Sequence, residues 1–331
     1  MAVLVAGCGQ DDEPDPVTGS GPGEGMGGSV GFELVATDQL SVSPDGSQVL
    51  ADCWNGICRW DVASGALELV PDRGSVAVAP DWSTVAVVGD DGAVVLEDLE
   101  TGETVVTLAA DPGADGLAGS AVTAVAYSPD GSLVAAATLG SGGAGGVRVW
   151  SVSDAAEEVS FETVGEVHRL AFAPDGNQIA SAGNGPVEVH ELTSGRAEEL
   201  ESGEGGTVAW SADGASLAGT GPDGQPVVWG TATWEQRAEL PGVRLHEAAF
   251  APDSDVLALT ALDETAVTLW STGGTQDDRE LTGHTSAPGA LAWSPEGDAL
   301  FSVSADEGVL AWTPGPTPTP RPAPFEIPQG R

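Results

Sequence analysis

Lysine is absent from this chain. All ten basic residues are arginine, set against 51 Asp and Glu, for a formal net charge of -41. A surface so poor in cations cannot neutralise a phosphate backbone, which excludes nucleic acid as a partner. It also excludes attachment to anionic lipid by charge. Such acidity favours solubility, notably where salt screens self-repulsion, and it is equally what a GC-rich genome would encode. Long apolar runs are missing too: no segment approaches the ~20 residues needed to span a bilayer. The catalytic signatures fail in turn. No G-x-S-x-G elbow exists, and the Gly-rich stretch 140–146 has no lysine to hold a phosphate. Neither Asp90-Asp91-Gly92 nor the pair Asp111 and Asp115 completes a calcium-loop ligand series. No metal site, no cofactor and no enzymatic activity are therefore expected.

What is present points to a packed core broken by many turns. Hydrophobic residues make up 41% of the 331, with 47 Gly, 23 Pro and 10 Trp. That apolar share is too high for a disordered acidic chain, and the length suits two ordinary domains or one large repetitive one. The two ends stand apart from the rest. Leu4-Val5-Ala6-Gly7-Cys8 resembles the lipobox of bacterial lipoproteins, where small residues precede a cysteine that becomes lipid-modified. Since just seven residues precede Cys8, with no basic n-region, the start of the leader is expected upstream or trimmed. Residues 1–8 are thus a truncated signal, and residues 9–30 a flexible acidic Gly/Pro-rich tether. At the far end, 314–331 is a Pro-rich tail with polyproline II character. It suits a stiff extension, or a P-x-x-P ligand for an aromatic groove.

Between them, 31–313 repeats. Alternating apolar residues lead into Ser/Ala-Pro-Asp-Gly, and a second apolar run follows. The copies centre on positions 44, 80, 129, 174, 212, 252 and 295. The spacing averages about 42 residues, inside the roughly 40–45 of a four-stranded propeller blade. Within each copy the order is an inner strand, the Pro-Asp-Gly turn, a second strand, a third strand and a more polar outer strand. The third strand ends in an aromatic at Trp150, Trp229, Trp270 and Trp312, with Glu97 and His190 at that place in two other copies. The fold expected is all-β: a seven-bladed β-propeller of four-stranded antiparallel blades. An N-terminal strand at 32–36 should add to the last blade, removing two raw edges. The two widest spacings place long loops at 109–119 and 138–146, where a partner-binding patch is expected.

These residues resemble the WD-repeat family over about Phe32 to Thr313. The last copy is the closest, with Gly283-His284 and Trp312, and Trp60-Asp61 keeps the literal Trp-Asp pair. The resemblance implies a buried hydrogen-bonded tetrad of His284, Ser302 or Ser304, Asp306 and Trp312. The remaining blades lack the histidine, so apolar packing and turns must hold them.

Three cysteines occur, at 8, 53 and 58. Asn55-Gly56 is a favoured two-residue hairpin turn. It would make Cys53 and Cys58 a non-hydrogen-bonded cross-strand pair, roughly 4.5 Å between Cα atoms and within disulfide range. Two unpaired core thiols are the alternative. His168 and His246 each lie six residues before an anchor proline, at the start of an inner strand. They are candidate channel residues, with acidic help from Asp38 or Glu247, although exposed or packed histidines are the ordinary outcome. The reading that emerges is an extracytoplasmic, lipid-tethered scaffold on the outer face of a bacterial cell membrane. A monomeric ring would present loops to a protein partner, and a lipid on Cys8 would be its sole membrane contact. An enzyme or small-ligand sensor using the central channel is the alternative function, and the ectodomain of a longer sensor a third. Without a lipobox at Cys8, the location would be cytoplasmic.

Overall fold

Seven four-stranded antiparallel sheets account for the described residues, and no helix occurs among them. The computed structural model describes residues 39–53, 56–71, 74–89, 92–108, 121–139, 145–203, 206–274, 277–304, 308–313 and 319–320. All of these belong to one compact unit, Phe32–Gln329. The inner strands are Leu40–Val42, Gly74–Val78, Ala121–Tyr127, Val167–Phe172, Val208–Trp210, Leu245–Phe250 and Pro288–Trp293. In each blade the chain steps outward strand by strand in sequence order. Neighbouring blades touch all the way round, and the inner strand of blade 1 meets that of blade 7, which closes the ring.

The Pro-Asp-Gly turns work as their chemistry requires. In five blades the Gly has φ between 68° and 72°, as at Gly46 and Gly176. Its N–H donates to the carbonyl three residues earlier. Blade 2 puts Trp82 at this place with φ 59°, and blade 6 shifts the left-handed residue to Asp253, φ 52°. Each is a conformation glycine adopts freely and other residues adopt under strain. Where the turn begins with serine, the buried hydroxyls of Ser43, Ser128, Ser211 and Ser294 accept an N–H from the next strand at 2.8–2.9 Å. Ser43 also donates to Asp45 at 2.7 Å, and Ser47 adds its N–H and hydroxyl to the same oxygen. Three donors on one carboxylate hold Asp45 down to about 2, and Asp130 to the same value in the same way.

The core is a set of seven seams. Each apolar cluster draws on two neighbouring blades, and the seven together run once around the ring. This follows from strand alternation: with both faces of a blade covered, successive residues point to opposite seams. The third-strand tryptophans point toward the preceding blade. Trp150 packs with blade 2, Trp229 with blade 4, Trp312 with blade 6, and Trp60 with blade 7. Truncating such a side chain to alanine costs about 3–5 kcal/mol. Polar ties reinforce the seams, with Trp210 Nε1 donating to the carbonyl of Ala171 and Trp293 Nε1 to that of Ala249, both at 3.0 Å.

One local expectation goes untested and another comes out differently. The outer position of blade 7 holds Thr319–Pro320, pairing Thr313 with Thr319 and Trp312 with Pro320. A piece of the proline-rich tail therefore joins the ring, at an edge where a residue without an N–H is tolerated. The strand expected there, residues 32–36, lies outside the described residues. In blade 1 the paired residues nearest the turn are Cys53 and Gly56, so Cys58 faces Ala51 rather than Cys53. Gly56 enters the strand at φ 141° instead of occupying the turn, which moves the partner of Cys58 by two positions. Cys58 is buried and disulfide-bonded. The side chain of Cys53, its expected partner, lies outside the described ones.

Candidate functional site

Inner strands from six of the seven blades surround a central cavity of about 320 Å³. Its charged lining consists of Arg169 from blade 4 and Glu247 from blade 6. Arg169 donates from Nε and Nη2 to Glu247 Oε2 at 3.3 and 2.9 Å. The other carboxylate oxygen accepts the Thr207 hydroxyl at 2.6 Å and the Ala248 N–H at 3.0 Å. Thr207 precedes the inner strand of blade 5, so the network spans blades 4 to 6. Both charged side chains are nearly buried, 13% and 11% exposed. A second long tie runs from Gln39 Nε2 to the Val125 carbonyl at 3.4 Å, passing blade 2. Tyr127 lines the same cavity and shares a 3.0 Å hydrogen bond with Thr84, and burial pushes its phenol pKa up.

His168 and His246 are not part of this lining; the residues following them are. Cross-strand pairing skips each histidine, since Val167 pairs Gly183 while Arg169 pairs Ala182, and Leu245 pairs Ala261 while Glu247 pairs Thr260. Each histidine is thus the extra residue of a β-bulge, which reverses the side chains beyond it. The same skip occurs at Thr123 and Gly289, again six residues before an anchor proline. The repeated place was visible in the sequence, whereas the bulge that reverses the alternation was not. His168 Nε2 meets Asn184 Oδ1 at 3.3 Å, and Asn184 continues to Glu166. His246 Nδ1 is buried without a hydrogen-bond partner among the described residues. Asp38, suggested as acidic help, lies outside them.

Three of the five tetrad candidates are brought together in blade 7. Trp312 Nε1 donates to Ser302 Oγ at 2.7 Å, and His284 Nε2 shares a 2.6 Å hydrogen bond with the same oxygen. The hub is Ser302, fully buried; Ser304 is buried beyond it, and Asp306 lies outside the described residues. The His284 ring meets the indole edge-on, centroids 5.9 Å apart. Gly283 has a physical reason: a Cβ there would stand 3.0 Å from Trp312 Cη2.

Elsewhere a cavity of about 420 Å³ between blades 5 and 6 is lined by Asp213, Asp253 and Asp255 with Ser211, Phe250 and Thr272. Asp213 is held low by the Ser211 hydroxyl and the Ala215 N–H. Among the described residues no three His, Cys, Asp or Glu side chains are placed to hold a metal ion. No helix there is long and apolar enough to cross a membrane. The loops 109–119 and 140–144, central to the expected binding patch, lie outside the described residues.

The family model of the WD domain, G-beta repeat, matches residues 115–151 and 276–313, which take in the inner three strands of blades 3 and 7. The chain is a seven-bladed β-propeller, two stretches of which match the WD-repeat model. The propeller is 29% identical over 158 residues to the periodic tryptophan protein 2 homolog of Caenorhabditis elegans, a match covering 44% of this chain and 17% of that protein. It is 32% identical over 132 residues to the small ribosomal subunit protein RACK1 of Brassica napus, covering 33% of this chain and 39% of that one. The matches therefore span well under half of either relative. Among solved structures, a chain from the crystal structure of a mitotic checkpoint complex superposes with a TM-score of 0.71 at 20% identity. That superposition covers 92% of this chain and 99% of the other chain.

Proposed function

We propose that this propeller is a protein-binding scaffold, held outside the cytoplasmic membrane by a lipid on Cys8 through the tether at 9–30. One observation carries the scaffold reading: the charged groups of the central cavity are committed to one another. Arg169 and Glu247, with Thr207 and the Ala248 N–H, join three blades and leave recognition to the exposed loops. A ring whose seven seams are each filled by an apolar cluster is a rigid mount for such loops. The relative named a small ribosomal subunit protein takes its name from an assembly, in keeping with a binding role. The lipobox-like Leu4 to Cys8 supports the anchoring, and the acidic surface suits a partner with basic contacts.

A second reading places a small ligand in the central cavity, whose volume reaches the lower end of the roughly 300–1,000 Å³ of ligand pockets. One experiment separates the two. Crosslinking on intact cells followed by mass spectrometry identifies the partner for the full chain. The same capture is then repeated with loops 109–119 and 138–146 cut to two-residue turns, and with Arg169→Met. The scaffold reading expects loss of capture with the short loops and retention with Arg169→Met. Retention with short loops and loss with Arg169→Met would overturn it in favour of the cavity.

A further inference from the structure

The seam between blades 3 and 4 differs from its neighbours at one residue. Where five blades place a third-strand tryptophan, blade 4 places His190. Its ring lies flat on Phe161 from the outer strand of blade 3, with centroids 3.8 Å apart and planes 15° from parallel. The side chain is 6% exposed, and Nε2 has no hydrogen-bond partner among the described residues. A neutral imidazole packs there as a small aromatic. An imidazolium would bring a charge and a second N–H donor into a contact that offers no acceptor.

The groups facing His190 follow from strand alternation. Val187 and Val189 point to blade 5, so Glu188 and His190 point to blade 3. On the outer strand of blade 4, Ala197 and Glu199 share that face, pairing with His190 and Glu188. Blade 3 presents Val159 and Phe161, with no titratable side chain on this face among the described residues. The carboxylates near His190 are therefore Glu188 and Glu199. Glu188 is committed to the Val164 N–H at 3.0 Å, and its pKa is raised, first by burial and then by the Glu199 charge.

We propose that the seam between blades 3 and 4 is an acid-sensitive joint, in which protonation of His190 breaks its stack on Phe161 and frees blade 4 from blade 3. The tryptophan-filled seams hold under the same conditions. Burial lowers the His190 pKa below the ordinary 6.5. The neutral form is thus the stabilising one: its contribution is complete above 6.5 and is lost as the pH falls below that value. Glu188, shifted upward, changes in the opposite sense, so Glu188→Gln should steepen the acid loss.

Melting temperature between pH 7.5 and pH 5.0 tests this on the full chain, comparing wild type with His190→Phe. Phenylalanine keeps the stack and cannot titrate. Wild type should lose roughly 2 °C more than the variant across the interval. Hydrogen exchange at pH 5.0 should locate the extra opening in peptides covering 157–163 and 186–199. If His190→Phe fails to fold, His190→Gln must show the same flattening. Parallel pH curves, or extra exchange spread equally over all seven blades, would overturn the proposal.

Discussion

Replacing Ser302 by alanine probes the central claim about blade 7, that one hydroxyl organises its seam. Ser302 Oγ is fully buried and meets two partners, Trp312 Nε1 at 2.7 Å and His284 Nε2 at 2.6 Å. Removing it leaves both ring nitrogens buried without that oxygen. A buried polar group stripped of its partner costs about 1–3 kcal/mol. With two such groups, and some relaxation around the small void, the expected loss is about 2–4 kcal/mol. For a chain of this size about 2 °C of melting temperature accompanies each kcal/mol, so a drop of roughly 4–8 °C is expected. Trp312→Phe keeps the ring in the seam but removes the N–H, and should cost about 1 kcal/mol. The double variant then completes a thermodynamic cycle. Because both changes break the same hydrogen bond, the double loss should fall short of the sum of the single losses. Strict additivity, or a Ser302→Ala loss below about 0.5 kcal/mol, would refute the hub.

Arg169→Met should lower stability by about 2–4 kcal/mol, read as a lower urea midpoint at unchanged slope, since it strands the nearly buried Glu247 carboxylate; Glu247→Leu added to it should restore part of the loss, and no restoration would count against the tie. In acid, Asp45 and Asp130 should matter together. Their carboxyls are held to about 2, so their ionised forms contribute stability above the ordinary 3.8 that fades as the pH falls toward 2. A chain with Asp45→Asn and Asp130→Asn should show a flatter melting curve than wild type over that window, and identical slopes would refute the assignment. Mass spectrometry without reduction, on protein from the cell envelope, should find a peptide bridging Cys53 and Cys58 and a lipid on Cys8. A free thiol at 53 or 58 would break the first expectation, and an unmodified Cys8 the second.

How much of this could be seen in the sequence follows from the range of the forces involved. Seven turns that follow or approximate Ser/Ala-Pro-Asp-Gly, and the apolar alternation on either side of them, are local features, dictated by φ preferences and side-chain period. They sufficed for the blade count, the four strands per blade and the places of Trp150, Trp229, Trp270 and Trp312. The grouping of His284, Ser302 and Trp312 was legible through the family resemblance, since the residues lie within one blade. Other outcomes rest on contacts between blades or on a change of strand register, and no local pattern encodes those. A bulge at His168 and His246 turned Arg169 and Glu247 to the cavity, and their ion pair joins residues 78 positions apart. The register at Cys53 moved because Gly56 entered the strand instead of the turn. Thr319 and Pro320 reached the edge of blade 7 because an open edge accepts a short extended segment whatever its composition. The stacking of His190 on Phe161 was equally hidden, for it exists only once blade 3 has closed against blade 4.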